Sequence, residues 1–182
     1  MKRALINLDY TYDFIADDGK LTCGVPGQQI EEAIVRLTKE FIEAGDFVAF
    51  GIDAHHEDDQ LHPESKLFPP HNIVGTPGME LYGELKTLYE AHKDAPNVYY
   101  YEKTRYSGFT GTDLELKLRE RRINEVHIVG VCTDICVLHT AVDAYNKGFD
   151  IVIHRDAVAS FNPVGHDWAL EHFEKTLGAK VI

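Results

Sequence analysis

Three residues able to take part in nucleophilic chemistry stand just beyond the ends of short apolar runs. The run Ala4 to Leu8 delivers Asp9, Val98 to Tyr101 delivers Glu102-Lys103, and Val126 to Val131 delivers Cys132-Thr133-Asp134-Ile135-Cys136 into a helix start. With Thr133 as the cap, Cys136 falls in the first helical turn, where unpaired backbone N–H groups and the positive end of the dipole favour a thiolate. The same free amides can hold an oxyanion. Each residue also has a plainer reading: Cys136 as a small buried hydrophobe, Asp9 as a turn acceptor capping Tyr10 to Phe14, Lys103 as a solvated lysine. Gathered on one rim, they would make a nucleophile with a base and a charge partner. Cys132 precedes Cys136 by four residues, a spacing that redox pairs do not favour.

The run Phe47 to Ile52 delivers Asp53-Ala54-His55, and His56, His62, Glu64 and His71 follow. This group offers nitrogen and oxygen ligands without sulfur, a set that suits Zn, Mn, Fe or Co. Taken singly, every one of them also reads as a surface residue. His56-Glu57-Asp58-Asp59-Gln60 begins like a zincin motif but has Gln60 where the second histidine is required. His154-Arg155-Asp156 begins like a kinase catalytic loop, yet the chain has neither the glycine-rich loop nor D-F-G. Gly75-Thr76-Pro77-Gly78 lacks the lysine of a phosphate loop.

The elements that must position these residues follow from hydrophobic period. Ala4 to Leu8, Phe47 to Ile52, Val98 to Tyr101, Val126 to Val131, Ile151 to Ile153 and Lys180 to Ile182 read as strands. Between them, Ile30, Ile34, Leu37 and Phe41 form a helical stripe closed at Ala44-Gly45, and Leu81, Leu85 and Leu88 form a second. Thr112 to Glu115 reads as a capping box opening a third helix, Thr133 or Asp134 caps a fourth ending at Gly148, and a fifth runs from about His166 to Leu177. Alternation of helices with almost wholly apolar strands predicts a parallel sheet covered on both faces, a three-layer α/β/α fold. Ligands in such sheets bind beyond the carboxyl ends of the strands, where strand order reverses. The irregular, proline-rich stretch from Asp53 to Gly78 is long enough to carry function.

The chain has 182 residues, 44% hydrophobic and 26% charged, which predicts one globular domain over residues 1–182. Its net charge of −12 disfavours nucleic acid and anionic membranes as partners. Apolar runs fall far short of the roughly 20 residues that span a bilayer. Met1-Lys2-Arg3 leads directly into a strand rather than an export signal, and three cysteines are too few for a disulfide scaffold. The expectation is a reducing, cytoplasmic setting.

The order of motifs resembles the isochorismatase-like cysteine hydrolases, and within them the nicotinamidases. The resemblance rests on L-I-N-L-D-Y-T-Y-D-F at 5 to 14, D-A-H at 53 to 55, F-P-P-H-N-I-V-G-T-P-G at 68 to 78, E-K-T-R-Y-S-G-F-T-G-T-D-L at 102 to 114 and G-V-C-T-D-I-C-V at 130 to 137. It implies a Rossmann-like fold with a six-stranded, mostly parallel sheet in the order 3-2-1-4-5-6, setting Asp9 against Cys136 at the switch point. It further implies Asp9, Lys103 and Cys136 as catalytic triad, and Asp53, His55 and His71 as metal ligands. Where many nicotinamidases carry a histidine followed by Ser-Phe, this loop reads His62-Pro63-Glu64-Ser65, and Glu64 by position completes the ligand set. The ion implied is one divalent metal, zinc first, with Mn or Fe favoured by the additional carboxylate. A cis peptide before Cys132 is implied, turning the backbone amides of Cys132 and Cys136 toward an oxyanion, and Phe14, Phe68 and Tyr106 are implied as the aromatic walls of the substrate site. The reaction implied is hydrolysis of nicotinamide to nicotinate and ammonia. The partners implied are a small-molecule carboxamide and, at most, further copies of the chain in a homo-oligomer.

Overall fold

In the computed structural model, which describes residues 2–182, a single sheet forms the centre. Its strands are β1 (Arg3–Leu8), β2 (Phe47–Asp53), β3 (Val98–Lys103), β4 (Glu125–Val131), β5 (Asp150–Ala159) and β6 (Lys180–Val181), ordered β3-β2-β1-β4-β5-β6. Every neighbouring pair is parallel. Alternate residues of β1 show why its sequence is apolar throughout: Ala4, Ile6 and Leu8 enter one core cluster while Leu5 enters the other.

The first cluster joins the sheet to α5 (Leu114–Glu120), α6 (Leu138–Asn146) and α7 (Pro163–Lys175). The second joins it to α1 (Tyr12–Ile15), α3 (Glu31–Glu43) and α4 (Gly83–His92), with α2 (Val25–Gln29) leading into α3. Ile34, Leu37 and Phe41 of the expected stripe are buried against the sheet, and Gly45 closes the helix at φ 75°. This is the three-layer arrangement and strand order expected from the sequence.

Local details differ. The box at Thr112 does not form: its Oγ1 donates to the Gly108 carbonyl at 2.6 Å, and α5 starts without a side-chain cap. Thr133 does not cap either; its hydroxyl is paired with the His166 ring at 2.8 Å, across the fold. A five-residue π-type turn, Thr133–Val137, stands where a regular helix start was expected, and α6 begins only at Leu138. Helix α7 starts three residues early, with Pro163 in its first turn and the Asn162 side chain accepting from Gly165 N at 3.1 Å. Strand β5 runs on through Ala159, with a register shift opposite Ile128 to Gly130.

One glycine sets the spacing of the two central strands. Gly130 holds φ 117°, and a Cβ there would run into the Leu8 carbonyl of the neighbouring strand. Strands β1 and β4 can therefore bring residues 9 and 131–132 side by side.

Candidate functional site

The carboxyl ends of β1, β2, β3 and β4 converge on one buried ionic cluster. Lys103, at the end of β3, is 1% exposed, and its Nζ lies 2.9 Å from Asp9 Oδ2 and against Asp53 Oδ1. The Asp9 contact is an ion pair without hydrogen-bond alignment. The ammonium also donates to the Arg105 carbonyl at 3.2 Å and stands 3.7 Å from Cys136 Sγ. Asp9 adopts φ 56°, and its Oδ1 accepts from the Asp53 amide at 2.7 Å, fixing the carboxylate between β1 and β2. The Val131–Cys132 peptide is cis.

Electrostatics divide these groups. Burial alone would neutralise Lys103, but the charges of Asp53 and Asp9 outweigh it and hold the ammonium firmly protonated. Burial raises Asp9 to about 6, Lys103 opposing and Asp53 adding to the rise. Burial also pushes the Cys136 thiol well up; Lys103 opposes and the two carboxylates reinforce it. Burial therefore works against the expected helix-start thiolate: Cys136 is 4% exposed, sits in the π-type turn, and faces an ammonium and a carboxylate. A thiol in that setting can be activated only by passing its proton to a neighbour, and Asp9 is a buried carboxylate poised to take it. Cys132, weighed as a redox partner of Cys136, instead has its sulfur 3.2 Å from that of Cys23.

Beside this cluster, one ligand atom each from Asp53, His55, Glu64 and His71 lie within 4.8 Å of one another. His71 Nδ1 faces the Pro69 carbonyl at 2.8 Å and must donate to it, so Nε2 bears the lone pair. That Nε2 and His55 Nε2 are both buried without a hydrogen-bond partner. Burial raises Glu64 to about 7, with Asp53 adding to the rise. When Asp9, Asp53 and Glu64 are ionised and both imidazoles are neutral, as metal ligation requires, only the Lys103 ammonium among these cluster residues opposes them, which leaves two negative charges in excess. Orphaned imidazole nitrogens and surplus carboxylate charge together fit a divalent cation.

The remaining expected residues border the same place. The Phe14 ring packs edge-on against His71 at 5.3 Å, and Phe68 does so at 6.2 Å. Phe68, His55, His62, Glu64 and His71 line a cavity of about 200 Å³. Tyr106 leans on His139 at 5.1 Å, and its hydroxyl is raised to about 12 by burial first and by the charge of Glu64 second.

Sequence reasoning missed the scaffold under the ligands. Asp13, at the start of the chain, accepts from the Asn72 amide at 2.8 Å. Asn72, fully buried at φ 45°, donates to the Asp53 carbonyl at 3.2 Å and accepts from Thr11 Oγ1 at 3.0 Å. An asparagine in left-handed backbone is a recognisable turn device, but its partners lie far along the chain.

An isochorismatase domain model matches residues 3–182. The chain belongs to the isochorismatase family. A family structure described as the nicotinamidase/pyrazinamidase PncA from Bacillus subtilis is 68% identical, covers 100% of this chain and 99% of its own, and superposes with a TM-score of 0.98. The nicotinamidase/pyrazinamidase of Mycobacterium tuberculosis is 33% identical over 157 residues, 80% of each chain. A pyrazinamidase of Pyrococcus horikoshii, solved in complex with zinc, is 30% identical at a TM-score of 0.86, covering 100% of this chain and 99% of its own. Within the isochorismatase family the chain thus lies beside carboxamide hydrolases, on the same six-stranded sheet.

Proposed function

We propose that this isochorismatase-family protein is a nicotinamidase, hydrolysing nicotinamide to nicotinate and ammonia and accepting pyrazinamide as a second substrate. The observation that carries the reading is the Cys136 thiol 3.7 Å from a Lys103 ammonium that also holds Asp9 at 2.9 Å. The nicotinamidase relatives at high identity support the substrate. In this reading Asp9 takes the thiol proton as the Cys136 sulfur attacks the carboxamide carbon. The oxyanion that forms is held by the backbone N–H groups of Cys132 and Cys136. Asp9 then returns its proton to the departing ammonia, leaving a thioester on Cys136. It next draws a proton from water, whose oxygen attacks the thioester carbon; the C–S bond breaks, the carboxylic acid leaves, and the Cys136 sulfur takes the proton back from Asp9. Lys103 keeps Asp9 oriented and offsets negative charge as it moves from carboxylate to sulfur.

Asp53, His55, Glu64 and His71 would hold the divalent metal. When bound, it supplies a Lewis-acidic position for the ring nitrogen of the substrate. Zinc is the ion proposed, supported by the paired imidazoles and by the zinc complex of the Pyrococcus horikoshii relative. Phe14, Phe68 and Tyr106 wall the aromatic ring. No helix among the described residues is long and apolar enough to cross a membrane, and the three unpaired cysteines support a reducing, cytoplasmic setting.

The decisive measurement is ammonia release from nicotinamide, pyrazinamide, benzamide and N-carbamoylsarcosine by zinc-loaded protein. Nicotinamide should be turned over fastest. Preference for the ureide, or absence of ammonia from any aromatic carboxamide, overturns the assignment.

A further inference from the structure

The histidine that heads the ligand loop is not among the four clustered donors, and its ring explains why. His62 is 7% exposed. Its Nε2 lies 2.6 Å from the Thr104 carbonyl, which can only accept, so Nε2 carries the proton. Its Nδ1 accepts from the Glu64 amide at 3.2 Å, so that nitrogen carries the lone pair. Both ring nitrogens are spent on backbone partners, and the neutral Nε2–H form alone satisfies both. None is left for an ion.

The position adds a second observation. His62 is the N-cap of the short 3₁₀ turn Pro63–Lys66, which presents Glu64. Serine, threonine or aspartate could cap this turn just as well. None of them has a donor at the far end of the side chain to reach Thr104, the residue that follows Lys103. The histidine is also pinned from behind: Asp59 Oδ1 accepts from the amides of Leu61 at 3.0 Å and His62 at 3.1 Å, and Ser65 Oγ donates to the His62 carbonyl at 2.7 Å. Its ring stands edge-on to that of His55, 4.5 Å between centroids.

We propose that His62 is a positioning residue for the metal centre, a neutral strut that fixes Glu64 and His55 relative to the end of β3 and so sets the affinity of the site for a divalent ion without ligating it. The proposal rests on the metal-dependent reading above, but it can be tested without substrate. Residues that orient ligands typically govern metal affinity by about 10- to 100-fold.

The test measures zinc affinity by chelator competition on the full chain, together with the visible spectrum of the cobalt-loaded protein. His62→Ala should bind zinc about 10- to 100-fold more weakly than wild type. His62→Asn, which keeps the capping acceptor but cannot reach Thr104, should fall between them. The Asn variant's cobalt bands should match wild type in position and intensity, because the ligand set is unchanged. Should His62→Ala fail to fold by far-ultraviolet circular dichroism, the Asn variant still decides the matter. Wild-type zinc affinity in His62→Asn overturns the strut. Cobalt bands showing the loss of one imidazole overturn it in favour of direct ligation, and a wild-type chain that binds no zinc overturns it together with the metal site. Weakened zinc binding in the variants, beside a zinc-loaded wild type that fails to hydrolyse nicotinamide, would leave the strut standing and remove the substrate assignment alone.

Discussion

Two pairs of histidines, one on the sheet and one in the loop beyond β2, are finished differently. On β4 and β5, His127 Nε2 donates to Glu125 at 3.1 Å, because a carboxylate can only accept, and its Nδ1 then accepts from His154 Nε2 at 2.8 Å. Phe41 and Arg3 cover the pair, with Phe41 5.0 Å from His127 and Arg3 over the Phe41 ring. At the metal centre, His55 and His71 keep buried nitrogens with no hydrogen-bond partner, each 3.6 Å from a carboxylate oxygen, of Asp53 and Glu64 respectively. A satisfied network holds the structure together, whereas an unsatisfied one costs free energy until something binds. The contrast marks a ligand site more sharply than residue type does, since both regions pair two imidazoles with a glutamate.

The strongest way to break this contrast is to attack the reactive end. Cys136→Ala should abolish ammonia release, and Lys103→Ala should lower kcat/KM by on the order of 10³-fold, as expected for loss of a group that organises proton transfer. His154→Gln, in the satisfied pair, should leave turnover unchanged. Steady-state assays on the three variants check this, and wild-type turnover in Lys103→Ala would remove the triad.

Metal removal comes next in size. A ligand present at 100 times its dissociation constant stabilises the folded state by about 2.7 kcal/mol, worth roughly 5 to 10 °C in a chain of this length. Thermal scans with and without zinc should show that shift in wild type, and chelation should silence turnover. With the metal present, benzamide should be worse than nicotinamide by at least about 100-fold, because a site that expects a ring nitrogen rejects an analogue lacking it. Equal rates on the two amides would end the ring-nitrogen assignment.

The satisfied pair should reveal itself through pH. Burial and the neighbouring His127 lower His154 from 6.5 to about 4. The unfolded chain therefore takes up a proton below pH 6.5 that the native protein refuses until about pH 4, so stability is lost as pH falls through that window. Among charged neighbours, Asp156 and Glu40 favour protonation and Arg36 opposes it. His154→Gln should flatten the fall of Tm between pH 6.5 and 4, measured in metal-free protein, and an unchanged slope would place the titration elsewhere. The smallest effect belongs to Cys132→Ala, which should keep activity within a few-fold because only its backbone amide is assigned a role.

Much of this was legible in the sequence. Strand order followed from the family motifs, and the β1 to β4 strands were readable because a sheet covered on both faces demands unbroken apolar runs. Asp9, Lys103 and Cys136 were legible because they follow those runs directly, and Glu64 because it fills a gap in a motif. The capping expectations missed contacts that local spacing does not show: Thr112 Oγ1 donates to Gly108 and accepts from Leu114 N at 3.4 Å, one residue short of the expected Glu115, and the Thr133 hydroxyl is paired with His166 on another helix. For the Cys136 thiol, local helix position left out burial, which opposes the thiolate and depends on the whole fold. His62 looked like one ligand among several because only its partners, Thr104 and Glu64, show that both nitrogens are taken.

Gly130 touches neither the thiol nor the metal ligands, yet it constrains what this protein can become. Saturation mutagenesis of the aromatic walls should yield altered substrate preferences, because those side chains can change one at a time. At Gly130 the same procedure should return only inactive clones, since any side chain meets the Leu8 carbonyl and forces apart the two strands that carry Asp9 and the Cys132 amide. New specificities in this scaffold are therefore reachable by replacing its walls, and the gap between β1 and β4 is the inherited part that every descendant must keep.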